Sequence, residues 1–113
     1  MESFTPSQVI QELQQIQSEA AKGVQALFDA ECKLAEAENA YERALQVAFM
    51  NAEGTVADRT AVSRLQAADF RLVADLAKAE YNRIKLKMKQ LELAQMSTQT
   101  IARQIETELR VLR

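Results

Sequence analysis

The sequence predicts an all-α fold, a long antiparallel two-helix hairpin of coiled-coil type. Three observations carry this. Only 2 Gly and 1 Pro occur in 113 residues, too few for the turns and bulges that sheets require. The remainder is rich in Ala, Leu, Gln and charged residues, which are good helix formers. Apolar residues also recur every seven positions, the period of a coiled-coil seam. At this length one helical-hairpin domain over residues 1–113 is expected, because domains run to roughly 100–150 residues.

The first helix is expected over about 6–51. Thr5 is placed to cap it, Pro6 suits the first helical position, and Gln8 completes a capping box. Leu13, Ala20, Leu27, Leu34, Tyr41 and Ala48 recur at sevens, with Ile16, Gly23, Ala30, Ala37 and Ala44 three residues after the first five. Such a seam alternates large with small, and its Gly/Ala row invites a close neighbour.

Residues 52–55 make the turn. Gly54 suits the left-handed position after a helix end, and Thr55 with Asp58 starts the next helix. A short turn between long helices makes them antiparallel. Paired residue numbers then sum to about 108, which sets Leu27 near Tyr81 and Ala20 near Met88.

The second helix is expected over about 56–112 and reads in two phases. Val62, Leu65, Leu72, Leu76 and Ala79 form one stripe. From Ala77 a second takes over through Tyr81, Ile84, Met88, Leu91, Ala102, Ile105, Leu109 and Leu112. Leu86, Leu93 and Ile101 lie beside it and widen the apolar surface. Ser97, Thr98, Gln99 and Thr100 form the weakest helical stretch, where a break is open. A lone hairpin encloses no core, so a homodimeric four-helix bundle or larger oligomer is expected. Its core and oligomer seam would draw on Leu13, Ile16, Ala20, Leu27, Leu34, Tyr41, Leu72, Leu76, Ile84, Met88, Leu91 and Ile105.

Charge divides by arm. Residues 1–58 hold 10 acidic and 3 basic side chains, whereas residues 59–113 hold 6 acidic and 11 basic. Arg64, Arg71, Lys78 and Lys85 form a basic line, and Glu31 and Glu38, with Glu42 one turn on, an acidic one. Pairing across the seam would fix antiparallel register. A separate cluster of Tyr81, Arg83, Lys85, Lys87 and Lys89, opposite Lys22, reads as a solvated helix surface or as an anion site. In the second reading it would take the phosphates of a nucleotide or nucleic acid.

Composition argues against an enzyme. Histidine is absent and no Cys pair or Gly-rich phosphate loop occurs, so the commonest general base and metal ligand are missing. No cofactor and no metal are expected. The single Cys32 forms no internal disulfide and is expected as a buried or boundary residue of a cytoplasmic chain. No apolar run is long enough to span a membrane, and Met1–Phe4 lack the features of a signal peptide.

The hairpin is similar in shape to small secreted Trp-x-Gly hairpin proteins, but residues 51–55 hold no such motif. It also looks like the export chaperones and stalk proteins of flagellar and type III secretion systems. The turn Ala52-Glu53-Gly54-Thr55-Val56-Ala57-Asp58-Arg59 and the Lys/Leu-rich stretch from Lys85 to Leu93 resemble small coiled-coil proteins of bacteriophages. That resemblance implies an accessory protein of host takeover, defence evasion or DNA metabolism, placed in the host cytoplasm. The expected function is therefore non-enzymatic binding by a homo-oligomer. Phosphate binding and chaperoning or scaffolding of a helical client are the alternatives.

Overall fold

The computed structural model describes residues 5–112; Met1–Phe4, read above for a leader, lie outside the described residues. The fold is all-α. Among the described residues are three helices and no strand: α1 Pro6–Asn51, α2 Val56–Gln66 and α3 Ala68–Val111. The chain divides into two compact units, one of residues up to Ala26 with those from Lys85 onward, the other Leu27–Ile84.

Helix starts follow local chemistry. The Gln8 amide donates to Thr5 Oγ1 at 3.2 Å and the Thr5 amide to Gln8 Oε1 at 3.0 Å. Thr55 and Asp58 repeat the box on α2, at 3.2 and 3.3 Å. Each box satisfies two amides that a helix start leaves without partners. Between them the chain passes Gly54 at φ 108°, the sole positive φ among the described residues. A Cβ there would lie 3.1 Å from Asp58 Oδ2, the atom that accepts the Thr55 amide. Gly54→Ala is therefore expected to cost about 1–2 kcal/mol, from left-handed strain and a disturbed cap. The urea midpoint of the helical signal measures it.

The second arm is not one helix. At Ala67 the backbone leaves helical geometry, with φ −90° and ψ 2°. The Ala67 amide still reaches Ser63 O at 3.0 Å, and its carbonyl accepts the Arg71 amide at 3.0 Å. Ala is the best helix former, so propensity does not cause the interruption. It falls at the residue with 0 % of its surface exposed, which points to packing. By contrast residues 97–100 stay helical. There the Thr98 and Thr100 hydroxyls donate to the carbonyls of Ala94 and Met96 at 2.9 and 3.0 Å, a bond that needs no break in the helix.

In the first unit Val9 and Ile16 are buried, with Leu13, Ala20, Met88, Leu91, Ile101, Ala102 and Ile105 half-buried. Met88 lies against Gly23, one turn from Ala20. A Cβ built on Gly23 would overlap Met88 Sδ, so the thioether occupies the space that glycine leaves.

In the second unit the covered line is made of small residues. Ala30, Ala48, Ser63, Ala67 and Ala74 are buried, while Leu27, Leu34, Tyr41, Ala77, Tyr81 and Ile84 are half-buried. Ser63 is tolerated there because its hydroxyl donates to Thr60 O at 2.9 Å. No side chain larger than these is fully enclosed among the described residues.

Candidate interaction surface

Three of the expectations above need correction. The stripe Val62, Leu65, Leu72, Leu76 and Ala79 does not face α1. All five are exposed, Leu65 at 79 %, Leu72 at 57 % and Leu76 at 61 %. The covered face of α2 and α3 in this unit instead runs through Ser63, Ala67, Ala74, Ala77, Tyr81 and Ile84. The two stripes lie on opposite sides of the arm, and the covered one runs on into Tyr81 and Ile84 without a change of phase. Counting back by sevens from Tyr81 reaches Ala74 and Ala67, and from Ile84 reaches Ala77, the exposed Phe70 and Ser63. The signal was in the spacing, but large residues drew the eye away from small ones.

Physical reason follows from size. A helix pair closing on Ala and Ser has no room between its axes for Leu. Val62, Leu65, Leu72 and Leu76 are turned outward. Open grooves remain beside the seam, of 600 Å³ along Asn39, Arg43, Val47, Gln66 and Phe70 and of 420 Å³ along Leu45, Phe49, Thr60 and Ser63.

The second correction concerns charge. Among the described residues Arg64, Arg71 and Lys78 make no pair with the acidic line, while Lys85 makes a contact of its own. Arg71 pairs with Asp75 on its own helix at 3.8 Å. Arg64, Lys78, Glu31, Glu38 and Glu42 hold no hydrogen bond or ion pair among the described residues.

The cluster read as a candidate anion site spreads over both units. Arg83 is engaged by Glu80 through a fork, with Nη2 donating to Oε1 at 2.8 Å and Nε to Oε2 at 3.2 Å. That hydrogen bond holds the Glu80 carboxyl below its usual range and raises Arg83, with Lys33 adding a smaller attraction to Glu80. Tyr81, half-buried in the second unit, and Lys85 make contacts of their own. Lys22, Lys87 and Lys89 are exposed in the first unit. Both partners of the Arg83–Glu80 pair stand exposed to solvent, where an ion pair contributes little.

Cys32 is the third correction. It is exposed, because its position falls off the α1 seam.

One residue escaped sequence reading altogether. The last turn of α1 carries no basic side chain, although its end carbonyls favour a cation. Arg59 of α2 supplies one from across the turn. Its Nε and Nη2 donate to Phe49 O at 3.2 and 3.1 Å, and its guanidinium sits 4.3 Å from the Phe49 ring centroid.

Among the described residues no helix is long and apolar enough to cross a membrane. Comparison of the chain with family models, with curated proteins and with solved structures finds no match.

Proposed function

We propose that this protein is a non-enzymatic helical-hairpin binding protein that works as a homo-oligomer, an accessory protein of the bacteriophage kind. One observation supports the reading most directly: far more large apolar side chains stand exposed than are buried. Eighteen large hydrophobic side chains stand exposed among the described residues, against six buried hydrophobic residues of which four are Ala. Burying a Leu or Val contributes about 1.5–3 kcal/mol, whereas a methyl-sized group contributes about 0.8. An Ala seam alone is a weak source of stability for 113 residues. Association that covers the exposed Leu and Val side chains supplies what the seam does not.

Sedimentation velocity at micromolar concentration tests this. A dimer or larger species is expected, and a stable monomer overturns the reading. Repeating the run with single-stranded DNA, duplex DNA and cyclic nucleotides separates it from the phosphate-binding alternative, in which Lys22, Tyr81, Arg83, Lys85, Lys87 and Lys89 would take the anion. Recovery of one stoichiometric helical client with a monomeric chain would favour the chaperone alternative instead.

A further inference from the structure

We propose that Met88 is an oxidation site, at which a peroxide loosens the first unit while the second stays closed.

The sulfur sits where an added oxygen has nowhere to go. Gly23 leaves α1 without a side chain at one point, and the end of Met88 fills the space. Sδ takes the place of a Cβ there, with Cε and Cγ 3.4 and 3.6 Å from the same point. The thioether therefore lies directly on the α1 backbone, whose amides in mid-helix are committed to bonds within the helix. A thioether suits such a place because it is apolar and adaptable. A sulfoxide does not. Its oxygen is a polar acceptor on a sulfur that already touches α1, in a contact with neither the room nor the backbone donors to receive it.

Exposure separates Met88 from the other described methionines. Met50 and Met96 are 75 % and 57 % exposed, so an oxygen added to either meets water. Met88 is half-buried, open enough for a small oxidant and covered enough for the product to matter. The unit around it holds little in reserve. Val9 and Ile16 are its only buried hydrophobic residues among the described ones.

The reaction is a two-electron oxygen transfer. A lone pair on Sδ attacks one oxygen of hydrogen peroxide or an alkyl hydroperoxide, the S–O bond forming as the O–O bond breaks. Solvent carries the proton from the transferred oxygen to the departing one. Sulfur is oxidised to the sulfoxide, and the peroxide leaves as water or an alcohol. A methionine sulfoxide reductase with a dithiol reverses the change.

The test uses the full chain with Cys32→Ser, which removes the exposed thiol, and with Met50→Leu and Met96→Leu. Met88 is then the one methionine left among the described residues. Hydrogen peroxide is added until peptide mass spectrometry shows Met88 converted, and amide hydrogen exchange is followed in both units. Exchange across the first unit is expected to speed up by about 10-fold or more, as an unpaired polar group in a contact would cause, with the second unit unchanged. Sulfoxide reductases of both epimer classes with dithiothreitol are expected to restore the slow rate. Full conversion with exchange unchanged overturns the proposal, and so does equal acceleration in both units. A Met88 that stays a thioether in wild type, under peroxide that converts Met50 and Met96, overturns it as well. Met88→Leu keeps an apolar side chain of similar size and is expected to abolish the response; a persisting response there rejects the site.

Discussion

Replacing Ala67 with Leu is expected to destabilise the protein by about 2–3 kcal/mol, the cost of forcing extra methylenes into a close-packed contact. Ala67 has no exposed surface and sits between the two hydrogen-bonded helices of the second arm. Leu and Ala have similar helix propensity, so the loss would report packing and not backbone preference. Ala61, exposed on α2, supplies the control. Ala61→Leu should change stability by no more than about 0.5 kcal/mol, as surface substitutions do. Urea midpoints followed by circular dichroism compare the two. They must be taken at one protein concentration, because association shifts apparent stability. Equal midpoints would refute the close-packed seam.

Arg59→Ala carries the second largest expected loss, about 2 kcal/mol. Its fork places two charge-assisted hydrogen bonds on Phe49 O and stacks the guanidinium over the Phe49 ring. Hydrogen bonds to charged groups contribute about 1.5–3 kcal/mol, and a cation over an aromatic face at least about 0.5. Arg59→Lys should recover less than half. An ammonium keeps the charge near the α1 C-terminus, but it lacks the planar fork that holds carbonyl and ring together. Full recovery by Lys would mean that helix-end electrostatics alone, not the fork, accounts for the contribution of Arg59.

These residues mark where reading the chain stops being enough. Thr5 with Gln8 and Thr55 with Asp58 are legible because a capping box is local: both partners lie three residues apart and need nothing else. Gly54 is legible for the same reason. The α1 seam is legible too, since Leu13, Ile16, Leu27, Leu34 and Tyr41 stand out among charged neighbours. The stripe on the second arm misled because hydrophobicity ranks Leu above Ala, while a close contact ranks them the other way. Leu72 and Leu76 thus read as a seam facing α1, and Ala67 and Ala74 passed as filler.

Charge shows the same division. The acidic and basic arms are real features of the sequence, but opposite charge does not by itself choose a partner. Arg71 and Arg83 found Asp75 and Glu80 on their own helix, where i, i+3 and i, i+4 neighbours are already within reach. Long-range pairing has to compete with that proximity.

By itself, then, the sequence determined the helical class, the caps, the turn at Gly54 and one seam, all features set within a few residues of one another or by a repeating period. Only the tertiary structure decided which side of the second arm meets α1, where that arm is interrupted, how Met88 fills the space at Gly23, and that Arg59 reaches back to Phe49. Each of those depends on how near two helices approach, and that distance is set by side-chain volume on both partners at once.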